Sequence, residues 1–366
     1  DEFLRFYKDE GRRESFTKAG LTPEQIVRES TELWCERFYW WKQRTRGSAF
    51  CEKVIDSPAD FNIDPSHHAA TWGNIHALWA LARAVLHGFE PSVLSHVQDA
   101  IGYLPDLDKS DEAQKMARAR LANAVGFQYD RGGHLDASIR WYERSKAAYM
   151  AMEAPRDPEG LTMLLNNLAF AYANQGRMAL AHTIGADALR INEETGNRYT
   201  LGLTLSTLSL INLIDGNFDQ ANDFGLEALE HFEDLEDAHG IVLAHLDIAK
   251  AKRRMAKAEL ETRRKSKRLE IELEFDEAKR NLETALGVAK NAKLDSDIAD
   301  LRAEYGRLYR DWGRFIRLEQ GLTDAMPVFR EGEAEFHTVL SNKALSDATK
   351  ADVWEDLGEL LFLSED

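Results

Sequence analysis

Glu236 and His239 stand three residues apart, the spacing at which one helix face can offer a carboxylate and an imidazole to a di-iron centre. Such a centre needs two of these motifs and further glutamates, and here there is a single one. His67 and His68 follow a loop that carries Asp60 and Asp64, with His76 a little beyond. No HExxH and no paired Cys/His spacing surrounds them, so they read as structural histidines beside a helix start. The chain also lacks a phosphate-binding P-loop, a Rossmann glycine fingerprint and a nucleophile elbow. These patterns predict a protein that is not an enzyme and that needs no metal or cofactor.

The remaining chemistry is charge. Residues 250–268 hold ten Lys or Arg against Glu259 and Glu261, whereas residues 269–277 hold five acids and no base. The whole chain is −17, so one basic ridge stands on an acidic body. Such a ridge can be a solvated helix supported by spaced pairs such as Glu259 with Arg263 and Glu261 with Lys265, each worth about 0.2 to 0.5 kcal/mol. It can also receive an anionic partner: an acidic protein segment, or, in the alternative reading, nucleic acid bound at 250–268 by a regulator. The net acidity argues against the whole surface being a nucleic-acid or anionic-membrane platform. With only Cys35 and Cys51, and no run of 18 apolar residues, the sequence predicts a cytoplasmic protein without a disulfide framework or a membrane span. A first residue of Asp1 rather than methionine suggests a piece of something longer.

These residues must be positioned by helices, because only 8 prolines interrupt 366 residues, of which 44% are hydrophobic. Residues 1–66 form an N-terminal helical segment. Thr22-Pro23-Glu24-Gln25 reads as an N-cap, a first-turn proline and a glutamine at N3, opening a helix that runs to about Arg44. Its apolar stripe is Ile26, Ser30, Leu33, Trp34, Phe38 and Trp41. Together with Tyr39 and Trp40 it offers more aromatic surface than one face can hide, enough to pack on the next element or to dock a neighbouring domain through Trp34, Tyr39 and Trp40.

From Trp72 the helices pair, with a first pair spanning Trp72–His87 and Pro91–Tyr103. Three later stretches then share identical internal offsets: Gly126, Tyr129, Gly133, Ser138, Trp141 and Ser145; Ala169, Tyr172, Gly176, Ala181, Ile184 and Ala188; Ser209, Asn212, Gly216, Ala221, Phe224 and Ala228. Small residues recur where two helices cross closely, and glycine breaks the chain between them. A fourth unit from about Gly240 has its second-helix Phe275 displaced by about 17 residues. Shared between two helices at about 1.5 Å per residue, the insertion predicts an elongated hairpin, about 241–290, projecting from the array. A fifth unit carries Tyr305, Gly306, Tyr309 and Gly313, with Gly321 and Pro327 making its second helix irregular. Trp354, Leu357 and Gly358 open another unit within 346–366, a solvating or truncated repeat helix.

This pattern of a small residue, an aromatic three on, a turn glycine and two alanine-like positions resembles the tetratricopeptide repeat, with a long pitch of 43 and then 40 residues between equivalent positions. Units of that length are similar to those of kinesin light chains and of the sensor arms of bacterial signal-transducing ATPases. The resemblance implies an all-α, right-handed α-solenoid of antiparallel helix pairs over 67–345, a TPR-like superhelix with a long hairpin insertion. It further implies a concave groove lined by first helices at Asn123, Phe127, Asp130 and Arg131; Asn166, Phe170, Ala173 and Asn174; Ser206, Leu210, Leu213 and Ile214; Leu246, Lys250, Arg253 and Arg254; and Ala303, Arg307, Arg310 and Asp311. That lining runs from amide and aromatic through apolar to basic, which suits a protein or peptide with apolar anchors and an acidic segment. The expected function is a non-catalytic binding scaffold or sensor module in a signalling or regulatory assembly.

Overall fold

The computed structural model describes residues 22–40, 44–153, 157–262, 268–342, 345 and 347–365. Among them are fifteen α-helices and two short 3-10 turns, with no strand. The chain divides into two compact units, residues 1–157 and 158–366, a boundary that falls inside the span expected to be one array.

In the first unit, α1 (Pro23–Trp40) opens on a capping box: Gln25 N–H donates to Thr22 Oγ1 at 3.2 Å and Thr22 N–H to Gln25 Oε1 at 3.0 Å. The helix stops at Trp40, and α2 (Arg44–Asp56) begins where a single continuous helix was expected to end. The buried face also differs from the expected stripe. Ile26, Val27, Thr31 and Cys35 face inward, while Leu33 and Trp34 remain 51% and 37% exposed. Polar anchoring sets this rotation: Glu32 accepts from Thr71 Oγ1 at 2.7 Å and Asn74 Nδ2 at 2.6 Å on α3 (Ala69–His87), which turns the adjacent aromatic residues outward. The side chains of Tyr39 and Trp40, and all of Trp41, lie outside the described residues.

Helix α3 is buried on nearly every side and forms the centre of this unit, against α1, α2, α4 (Pro91–Gly102) and α5 (Glu112–Arg131). Gly73 permits the close approach of α5, since a Cβ there would lie 3.0 Å from Leu121 Cδ1. Helices α5 and α6 (Leu135–Met150) form a hairpin in which Gly126 lies against the buried ring of Tyr142, and Ser145 Oγ donates to the Ala119 carbonyl at 2.7 Å. The aromatic that fills the crossing is therefore Tyr142 rather than the expected Trp141, which packs partly buried at the edge of the core.

The second unit is a succession of helix pairs: α7 (Pro158–Asn174) with α8 (Met178–Thr195), α9 (Arg198–Asp215) with α10 (Phe218–Asp234), α11 (Ala238–Glu261) with α12 (Arg268–Ala292), and α13 (Asp295–Gln320) with α14 (Leu322–Leu340). A last helix, α15 (Asp347–Ser364), packs on α13 and α14. Gly176 and Gly216 close two of the hairpins at φ of 78° and 83°, a left-handed conformation that other residues adopt at a cost.

The insertion lengthens α11 and α12 to 24 and 25 residues, but the hairpin does not project freely. Helix α13 is lengthened with them, to 26 residues, and the added turns bury Leu260, Ile271 and Phe275 in one cluster with Phe315, with Trp312 stacked on Phe275 at 5.9 Å. Burying apolar side chains near the tip favours this packed arrangement over a solvated arm. Gly313, read as a turn glycine, lies inside α13 against the ring of Phe329; the chain turns at Gly321 instead, with φ 101°.

Candidate functional site

Helices α7, α9, α11, α13 and α15 are the first helices of their pairs, and their polar side chains join into two networks within the second unit. The first orients an amide. Thr200 Oγ1 donates to Asn192 Oδ1 at 2.6 Å, Asn192 Nδ2 to Thr204 Oγ1 at 2.7 Å, and Thr204 Oγ1 to Asn166 Oδ1 at 2.9 Å. This relay, from α8 and α9 to α7, fixes the carboxamide of buried Asn166 with its oxygen occupied. Its Nδ2 has no hydrogen-bond partner.

The second network is ionic. Ser206 on α9 donates its hydroxyl to Asp247 Oδ2 on α11, and Lys250 Nζ lies 3.8 Å from Asp247 Oδ1. Arg253 donates Nε to Glu304 Oε1 and Nη1 to Asp311 Oδ2 on α13, both at 2.6 Å. Arg310 donates to Asp311 Oδ1 at 3.0 Å and to Asp356 Oδ1 of α15 at 2.5 Å, and it pairs with Glu359 at 2.8 Å. Arg307 donates to Asp356 Oδ2 at 2.6 Å. Burial works against ionising Glu304 and Asp311, yet Arg253, helped by Arg307 and Arg310 respectively, holds both carboxyls below their usual range. Asp247 lacks a guanidinium, and burial pushes it up to about 6 against the pull of Lys250 and Ser206.

Arg254 differs from its neighbours. It is half-buried, and among the described residues no carboxylate lies within ion-pair distance of it. Burial and then the adjacent Arg253 depress its pKa, against the more distant pull of Glu304 and Asp311. Lys250, Arg254 and Lys257 fall at i, i+4 and i+7 on α11, a single helical face, and the other two have only long contacts of 3.8 and 4.0 Å to Asp247 and Asp311.

The groove expected from the repeat register therefore needs correction at its basic end. Arg253 and Arg310 are buried and Arg307 half-buried, and all three already hold carboxylates, so they are structural cations rather than a lining free for a partner. Their partners Glu304, Asp356 and Glu359 were missed because they lie 46 to 51 residues away in sequence. The one local signal is the i, i+3, i+7 spacing of Glu304, Arg307 and Asp311. Elsewhere on this face Phe170, Leu210 and Leu213 are half-buried, Asn174 and Ile214 exposed. In the first unit Asn123 is buried, Phe127 packs on the core and Arg131 is exposed.

Part of the basic stretch 250–268 is also neutralised where it is described. Lys252 meets Glu274 at 3.1 Å and Glu277 at 2.8 Å, and Arg268 meets Glu272 and Glu319. Residues 263–267 lie outside the described residues. The histidines have local partners: His67 meets Asp64 at 2.8 Å, His239 meets Asp297 at 2.7 Å, and buried His76 binds the Trp72 carbonyl at 3.0 Å. Among the described residues no group of three or more His, Cys, Asp or Glu could hold a metal ion.

A family profile of the tetratricopeptide repeat matches residues 161–234, which is α7 to α10. Residues 161–234 are a tetratricopeptide-repeat segment. No curated protein matches it in sequence. Among solved structures, the fold is similar to the apo form of RapI, at 12% identity and TM-score 0.53 over 92% of this chain and 87% of that one. It is similar also to a Rap protein complexed with Competence and Sporulation Factor, at 11% identity and TM-score 0.54 over 92% and 98%. A third likeness is to PH0952 from Pyrococcus horikoshii, a signal transduction ATPase with numerous domains that carries a tetratricopeptide repeat sensor, at 15% identity and TM-score 0.51 over 99% and 48%. At these identities the likeness concerns the fold. Among the described residues no helix is long and apolar enough to cross a membrane.

Proposed function

We propose that this chain is a non-catalytic binding module whose second unit captures a protein or peptide segment along the first-helix face, with an acidic side chain or terminus of the partner at Arg254. The observation that carries this reading is the half-buried guanidinium of Arg254 standing without a carboxylate beside three arginines that all have one. A partially desolvated cation gains most from a charge-assisted, bidentate bond supplied by a ligand. Lys250 flanks it, and half-buried Leu210 and Leu213 with exposed Ile214 on α9 supply apolar anchors.

A regulatory or sensory role accords with the fold neighbours, one of which was solved with Competence and Sporulation Factor and another of which uses its repeats as a sensor. The nucleic-acid alternative at 250–268 is less well supported, since Lys252, Arg253 and Arg268 are committed to carboxylates. The test is selection from a displayed random-peptide library. Peptides enriched on the wild-type chain should carry an acidic group near apolar residues, and Arg254→Glu should abolish that enrichment. Enrichment of the same sequences on both proteins would overturn the assignment of Arg254.

A further inference from the structure

Cys35 and Cys51 are the only cysteines of the chain, and both are free thiols. They stand on different helices of the first unit, α1 and α2, which pack on each other. Both side chains are buried, at 1% and 2% exposure, in the cluster that also holds Val54, Phe61 and Ile75. There a hydrogen bond joins the two thiols. A thiol is a weak donor and a weak acceptor, so this bond does little to hold α1 on α2. What two thiols in contact can do, and two alanines or serines cannot, is become one disulfide.

We propose that Cys35 and Cys51 are a disulfide site, and that their oxidation by a small-molecule disulfide locks α1 onto α2. One protein thiolate attacks a sulfur of the small disulfide, releasing half of it as a thiolate and leaving a mixed disulfide on the protein. The second protein thiolate attacks the protein sulfur of that bond and releases the other half. The protons lost by the two cysteines end on the two released thiolates. Two protein thiols are oxidised, and one small disulfide is reduced to two thiols.

The surroundings set the rate of this exchange. The hydrogen bond with Cys51 and then burial push the Cys35 thiol well up from its ordinary value, and the charges of Glu32 and Glu36 act in the same direction. Thiolate is scarce and both sulfurs are covered, so the folded pair reacts slowly, when α1 lifts from α2. The equilibrium depends on proximity instead. A fold that holds two thiols together raises their effective concentration, and by reciprocity the bond they form stabilises that fold. The inference concerns residues 1–157 and is independent of the partner site at Arg254.

The test equilibrates the full chain with oxidised and reduced glutathione by two routes, from the folded reduced protein and by refolding from urea. The second route keeps slow access to buried sulfur from hiding the result. Intact mass after acid quenching should show a loss of about 2 Da without a glutathione adduct, and a digest should yield a peptide joining positions 35 and 51. In urea the linked form should have an unfolding equilibrium constant smaller than that of the reduced form by about tenfold or more. Cys35→Ser and Cys51→Ser should each remove both the mass loss and the stabilisation. Free thiols or glutathione adducts by both routes would overturn the proposal. So would a linked form no more stable than the reduced one, since the fold would then not be holding the two sulfurs in a bonding arrangement.

Discussion

Arg253 and Arg254 are neighbours in sequence and opposite in circumstance. The first is buried between Glu304 and Asp311, and the second is half-buried without an acid. Removing one member of a buried ion pair leaves the other charge uncompensated, a loss of about 3 to 5 kcal/mol. Arg253→Ala should therefore lower the unfolding midpoint in urea strongly, whereas Arg254→Ala should change it little and act on partner capture instead. Equal destabilisation by the two would mean that Arg254 is structural as well. The charge run itself could be read from sequence, but this distinction could not. Which arginine is neutralised depends on how α13 and α15 lie against α11, and their acids are about fifty residues or more distant along the chain.

At the scale of the element, the register of small residues was legible because it records a steric fact. A Cβ at Gly126 would sit 2.5 Å from the Tyr142 ring, closer than side chains pack. Gly126→Ala should cost about 1 to 3 kcal/mol through overpacking. Gly358→Ala, at the same register position with no atom within 4 Å of an added Cβ, should be neutral or gain about 0.5 to 1 kcal/mol from backbone entropy. Thermal unfolding of the two variants side by side compares them, and similar losses would refute this steric account of the register. What the sequence hid follows from the same physics. Gly313 matches a turn glycine in spacing, yet glycine serves equally where an aromatic presses on a helix, as Phe329 does there. The rotated face of α1 was hidden because Glu32, on the polar side of the periodicity, is anchored by Thr71 and Asn74 about forty residues on. The length of α13 was missed because its extra turns are justified only by the hairpin packed against them.

For the whole molecule, the two units carry different buried titrating groups and should answer pH differently. Burial raises Asp130 in the first unit and Asp247 in the second to about 6, while an unfolded aspartate titrates near 3.8. Between those values the native state binds more protons than the unfolded chain, so each contributes stability that grows as pH falls through 6 and is lost as it rises. His76, buried in the first unit, stays neutral down to about 4 against 6.5 when unfolded, so it removes stability over nearly the same window. Each pH unit of difference is worth about 1.4 kcal/mol. Asp130 and His76 largely cancel within residues 1–157, whereas Asp247 should add about 1 kcal/mol to residues 158–366 between pH 7 and pH 5. Glu304 and Asp311, held below their usual range by Arg253, set the acid limit: their contribution is lost only as pH falls below about 4. Hydrogen exchange, corrected for the intrinsic rate at each pH and read separately for the two units, should show protection rising toward pH 5 in the second unit and nearly level in the first. Asp247→Asn should flatten the second profile. A rise that survived that substitution would place the proton elsewhere in the repeat array.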